Sequence, residues 1–464
     1  MQPTKPTVLR CLQSLAVPVT LALAGGCGDG PAAPPVATSI EVSPPTSVLQ
    51  DVPDTVRLTA TVRDQYGEAM PSMKIAWSSL DSFVVHLSQD GLVTAEEAGK
   101  ALVEVSSGAV KGDATVVVAP GSRAVLHKLY RMTGGDNWST SANWKTDEPL
   151  DQWYGVSVVG QEEVAELHLS GIGLSGEIPV ELADLRELRS LSLFRNELEG
   201  EIPPEFGNLP NLRELALHAN QLTGPIPPGL GNLQELRSLI LAGNQLDGEI
   251  PLELGNLRNL EQLYLGQNPL TGPIPPELAN LQNLERLYLD SAELTGRIPP
   301  ELGNLSDLRE LALHANQLTG EVPPELGNLA RLAVLSLHSN ALTGRIPPEL
   351  ANARSIWWLY LHSNQLTGEI PPELGNLAQL RFLHLHSNRL SGPVPRTLGN
   401  NGFLAVLRIA DNPLAGALPR ELTRLRLVRT FHWNDTDLCA PADDAFQSWL
   451  NGIEEQVANG NCDS

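Results

Sequence analysis

The chain is poor in several things that usually betray chemistry. Lys and Arg number 31 against 54 Asp and Glu, a formal net charge of −23 over 464 residues. Nucleic acid wants clustered basic residues, so this balance argues against it as a partner. Long apolar runs are missing too. The stretch Leu12–Ala24 is mostly apolar but only 13 residues long, short of the ~20 that span a bilayer. No HExxH, GxSxG or phosphate-cradling lysine loop occurs, and no nucleophile–base pair is visible. The "GIGLSG" of Gly171–Gly176 matches a dinucleotide fingerprint only formally, because "EIPVEL" follows where a full helix should open. We expect no enzyme and no cofactor.

Cysteines number four. Cys11 lies in a basic-then-apolar leader with Lys5 and Arg10, of the kind removed on export. Residues 1–26 read as that signal. The leader ends in "LALAGGC", and small residues before Cys27 resemble the lipobox of bacterial lipoproteins, with Ala24 standing where Leu is usual. The resemblance implies a lipid on Cys27 and a membrane attachment through that anchor alone. An ordinary secretory signal cut nearby is the alternative. Cys439 and Cys462 remain, close in sequence in an exported chain, and are expected to pair.

Residues 27–36 contain "GDGPAAPPV", small and Pro-rich, a tether. Residues 37–119 alternate apolar and polar in short runs such as "VRLTATVRD", "KIAWSS" and "ALVEVSS", broken by "QYGE" and "SQDG". This predicts a β-sandwich. Trp77 and the "GLVTA" turn carry a resemblance to the group 2 bacterial immunoglobulin-like domain, which implies a surface spacer or adhesive module without catalytic residues. Residues 120–163 combine the amphipathic "SRAVLHKLYRMTGG" with Trp138, Trp144 and Trp153. They are expected to cap a solenoid.

Residues 164–427 are eleven copies of a 24-residue unit without an insertion. In the copy beginning at Leu212, apolar residues fill positions 1, 4, 6, 11, 15, 19 and 22. This spacing matches the leucine-rich repeat. Its "LTGxIPPELGNL" resembles the variant of plant receptor ectodomains and some bacterial surface proteins. Position 9 is Asn in nine copies, Ile172 and Ala292 being the exceptions, and position 13 is always Gly. The asparagine is expected to bond the tight turn and the neighbouring coil. Residues 428–464 keep half a repeat and then a helix, a C-terminal cap. The fold class is therefore mainly β with short helical turns: an immunoglobulin-like sandwich followed by a capped right-handed solenoid.

Positions 2, 3, 5, 7 and 8 drift between copies and are expected to face the concave side. Position 7 holds His218, then His314, His338, His362 and His386 in four consecutive copies. Tyr264, Tyr288, Tyr360 and His384 sit at position 5, Trp358 and Phe382 at position 3, and Trp357 at position 2. Three readings compete. Duplication alone explains a copied "LHSN". A binding face for a protein or glycan explains the clustered rings. The third reading is ligation of zinc or copper by His362, His384 and His386, against which a flat strand face should splay them and no supporting acid is evident. Asp435, Asp437, Asp443 and Asp444 fit no calcium loop, and the sequons at Asn137, Asn304 and Asn434 carry little meaning in a bacterial lipoprotein. We expect a monomeric recognition protein at a cell surface or in a periplasm. A structural envelope role without a ligand is the rival.

Overall fold

The computed structural model describes residues 34–49, 54–96, 98–118, 121–160 and 162–462. The leader and Cys27 fall outside them. Contacts divide the chain into two compact units, with the principal boundary after Val116.

The first unit is the expected sandwich. Strands β1 (Ala37–Ser43), β2 (Thr46–Leu49), β3 (Thr55–Arg57), β4 (Thr59–Asp64), β5 (Ala76–Ser79), β6 (Val85–Leu87), β7 (Leu92–Ala95), β8 (Gly99–Ser107) and β9 (Val110–Val118) form three sheets, ordered β2-β9-β8-β5, β3-β7-β6 and β1-β4. Alternation does the sorting: Ala101, Val103 and Val105 of β8 are buried, as are Ala114, Val116 and Val118 of β9. A period of two places these residues on one face. Trp77 lies beneath the turn at Gly91. That glycine has φ +80°, and a Cβ there would sit 2.4 Å from the Leu58 carbonyl and 3.2 Å from the indole. Only glycine fits.

The second unit is a leucine-rich repeat solenoid. One 14-stranded sheet runs its length. It opens with an antiparallel pair, Val156–Val159 against Glu163–His168, and is parallel thereafter. Glu166 pairs with Ser190, Ser190 with Glu214, and the step of 24 repeats to Thr430 without a shift. Thr430 then pairs with Glu455, so a further strand closes the sheet. The apolar pattern fades after Leu427, but the backbone pattern does not.

From Ser190 to Arg408 three-residue strands hold positions 3 to 5 of each coil, and the residues at positions 4 and 6, leucine but for Ile409, are buried. Each such leucine contributes about 1.5–3 kcal/mol of burial. On the opposite side prolines precede five-residue 3₁₀ turns such as Pro324–Asn328. Position 13 takes φ between +72° and +104° throughout, hence glycine.

Both ends of the apolar core are covered. Helix α1 (Ser122–Met132) buries Val125, Leu126, Leu129 and Tyr130. Trp138, Trp144 and Trp153 are buried beside it, and each indole N–H donates to a backbone carbonyl. At the other end α2 (Asp444–Asn451) inserts Phe446 and Leu450, its N-cap Asp443 accepting from the Phe446 N–H at 3.1 Å. Cys439 and Cys462 form a disulfide.

Position 8 departs from expectation. It leaves the strand in the left-handed region, with φ of +54° to +56° at nine non-glycine residues from Arg195 to Asp411. It therefore belongs to the turn, not to the recognition face. Such a conformation costs about 1–2 kcal/mol per residue. The asparagine at position 9 offsets it. Asn340 Nδ2 donates to the carbonyls of Leu313, Leu337 and His338 at 3.0, 3.1 and 3.3 Å, and its Oδ1 accepts from the Leu318 N–H at 3.0 Å. One side chain thus ties its own turn to the coil before it. At Ala292 this link is missing, and the Leu270 N–H turns to the Asn268 carbonyl at 2.8 Å.

Replacing Asn340 by Ala should cost about 1–3 kcal/mol, because the Leu318 N–H loses its buried partner. Ala292→Asn should do the reverse. By the offsets seen at Asn316 it would meet the Leu270 N–H and the Leu265 and Leu289 carbonyls. Thermal unfolding and amide exchange at Leu318 and Leu270 test the pair. An Ala292→Asn protein no more stable than the parent would contradict this account of the ladder.

Candidate functional site

The exact register turns each concave position into a column. Along position 7 the rings of His314, His338, His362 and His386 stack face to face, with successive centroids 4.4, 4.2 and 4.3 Å apart and planes within 24° of parallel. Phe194 and His218 make a separate stack at 4.4 Å. Position 5 carries Tyr264 against Tyr288 at 4.5 Å, and later Tyr360 against His384 at 4.5 Å. Trp358 contacts Phe382 edge-on at 5.4 Å and Trp357 at 5.3 Å, while the Arg381 guanidinium lies 5.5 Å over the Trp357 ring. The rings are half-buried, with leucines beneath them.

The residues singled out from sequence thus divide into two groups. Trp358, Tyr360, His362, Phe382, His384 and His386 meet in one patch, which His314 and His338 extend along the column. Tyr264 and Tyr288 form a separate pair. Tyr288 donates to Glu310, which also holds Arg286 Nε at 3.3 Å.

The histidine column runs between unlike charges. At one end Asp290 lies 3.7 Å from His314 Nε2, and Ser336 Oγ is 3.2 Å from His314 Nδ1. At the other, Arg408 pairs in register with His384. Asp290 and Arg408 carry no ring and so lie outside the aromatic pattern of the sequence. Extending positions 5 and 7 by one copy each way finds both.

Burial, more than mutual repulsion, lowers the proton affinity of His338, His362, His384 and His386. It pushes His338 down to about 4 and His362 down to about 3, with charge on neighbouring imidazoles adding to the effect. His384 is lowered to about 4 by burial and then by Arg408. His386 is lowered for the same reasons in the same order, with Asp411 opposing. His338, His362, His384 and His386 are therefore neutral at pH 7. His362 Nδ1, His384 Nε2, His386 Nδ1 and Arg408 Nε are buried with no hydrogen-bond partner among the described residues. Such atoms are rare in folded proteins.

Unfolded imidazoles titrate near 6.5. The folded state binds fewer protons below that value. The stability contributed by neutral His338, His362 and His384 is thus complete above about pH 6.5 and lost as pH falls toward about 4. Thermal midpoints measured from about pH 7.5 to 5, above most carboxylate titration, should fall more steeply for the parent than for a His338→Gln/His362→Gln/His384→Gln variant. Parallel slopes would contradict the assignment.

Comparisons with known proteins agree with this architecture. Residues 188–353 match a family model described as a leucine-rich repeat region, and residues 355–377 and 379–401 match a leucine-rich repeat model. Residues 36–118 match the bacterial Ig-like domain, group 2. Among solved structures, the Arabidopsis receptor kinase HAESA, in complex with the peptide hormone IDA and the co-receptor SERK1, is 33% identical with a TM-score of 0.63, over 68% of this chain and 54% of that one. The PEPR1–AtPEP1 structure is 26% identical with a TM-score of 0.60, over 73% and 58%. A plant ice-binding protein is 26% identical with a TM-score of 0.52, over 72% and 97%. The Arabidopsis thaliana protein MALE DISCOVERER 1 is 39% identical over 75 residues, 16% of this chain and 11% of its own length. The chain spans little more than half the length of the HAESA and PEPR1 chains and a small part of the curated relative.

Proposed function

We propose that the chain is an exported bacterial recognition protein that binds a protein ligand, in extended conformation, on the concave face of its repeats. The observation that carries this reading is the continuous ring patch from Trp357 to His386. It offers two indoles, a phenol and a phenyl beside buried nitrogens that still lack partners. Rigid amphipathic rings are what interfaces are anchored by. The HAESA structure, of similar fold, contains a peptide hormone, which favours a peptide over a glycan here. The immunoglobulin-like unit serves as a spacer and the chain acts as a monomer. No helix among the described residues is long and apolar enough to cross a membrane. Attachment rests on Cys27, which lies outside those residues.

Capture from peptide and glycan arrays with the mature chain tests the ligand class. Trp358→Ala and Tyr360→Ala should each weaken binding by roughly 30-fold or more, the ~2 kcal/mol of an interface anchor. Arg213→Ala, distant on the same face, should leave binding intact. Binding confined to glycans would overturn the peptide reading, and equal effects of all three variants would overturn the location.

The anchor is tested separately. Cys27→Ala should move the protein from the membrane fraction to the soluble one. An unmodified mass for the mature parent N-terminus would exclude lipidation.

A further inference from the structure

His384 is not accounted for by duplication. "LHSN" accounts for the position-7 histidines, but position 5 of the neighbouring copies is Ala312, Ser336 and Tyr360. His384 stands one strand from His362 and two residues from His386. The strand face does not splay the three apart. Each offers one ring nitrogen, and these atoms lie within 4.8 Å of one another. His362 and His384 centroids are 5.6 Å apart, and those of His384 and His386 5.8 Å.

We propose that His362, His384 and His386 form a binding site for a divalent transition-metal ion, with a remaining coordination position beside Arg408. A triangle with no side above 4.8 Å places an ion at its centre no more than about 2.8 Å from each corner. Zinc–imidazole bonds are ~2.0–2.1 Å, so each ring needs to move by less than about 1 Å. Each of the three imidazoles has a buried nitrogen without a partner. In contrast, His314 Nδ1 has Ser336 Oγ at 3.2 Å and His338 Nδ1 has Ser339 Oγ at 3.1 Å. Each member of the converging trio thus keeps a buried nitrogen free of any partner among the described residues. Three neutral imidazoles suit zinc, copper(II), nickel or cobalt and do not suit calcium or magnesium.

Charge decides what completes the shell. The three ligands bring no negative charge. Arg408 stands one strand beyond His384 and its Nε is buried and unpartnered. Glu455 lies 3.1 Å from His432 on the strands beyond. A dication beside a guanidinium is favoured only if an anion joins it. The fourth ligand is therefore an anion such as hydroxide or a carboxylate, and Arg408 pairs with it. This site is independent of the peptide reading, since a metal can be titrated with no peptide present.

The experiment uses the mature chain without an affinity tag. Cobalt(II) added to it should develop the intense visible bands of a four-coordinate nitrogen site, and zinc should bleach them. Calorimetry with zinc should give a Kd below ~10 μM, roughly −7 kcal/mol. His384→Gln and His362→Gln should weaken it at least tenfold, whereas His314→Gln and His218→Gln leave it unchanged. Added acetate should tighten cobalt binding to the parent but not to Arg408→Gln. Cobalt that keeps the pale spectrum of the hexaaqua ion overturns the proposal with no mutation needed. So does zinc affinity equal in parent and His384→Gln proteins with matching thermal midpoints. Loss of the metal site with peptide capture retained would sink this proposal and leave the recognition reading standing.

Discussion

The rest of the solenoid depends on one hydrogen-bonded side chain. Asparagine at position 9 closes its own turn and holds the carbonyl and amide of the coil before it. Asn316 does so through Leu289, Leu313, His314 and Leu294. Where the asparagine is missing, at Ala292, the left-handed Ser291 loses that support and the Leu270 N–H falls back on the nearby Asn268 carbonyl. With the asparagine in place, the strands that follow meet their neighbours in one register. The columns on the concave face are a consequence of that register, because a slip of one residue would turn every ring to the other side.

Most of the fold was legible because it is written in periods. The leucines at positions 4 and 6, the glycine at 13 and the asparagine at 9 each answer a local demand, and each recurs. The alternation of Ala101, Val103 and Val105 gave the sandwich in the same way. Two things escaped. The strand Glu455–Val457 has no leucine pattern, since it is exposed at the end of the sheet and follows a helix. Position 8 drifts in identity like a recognition position, yet it is governed by backbone geometry. Small or polar residues such as Ser339 and Asp411 fill it.

The candidate site was legible in its members but not in its electrostatics. Sequence placed four histidines at one position of consecutive copies. In the structure desolvation, ahead of neighbouring charge, lowers the proton affinity of His338, His362, His384 and His386. The structure also adds unlike charges at the ends of the column, Asp290 and Arg408, which no ring count would include. The convergence of His384 with His362 and His386 depends on side-chain positions, and residue spacing does not determine these.

One strand in each coil advances the sheet by about 4.8 Å, and from Glu166 to Thr430 no insertion breaks the series. Length along the face is thus quantised. An in-frame gain or loss of a whole repeat would move one end of the grip by a single fixed increment and leave every other rung aligned. The molecule can change its reach as a ruler does, by graduations, and what a lineage inherits is the mark spacing as much as the residues painted on it.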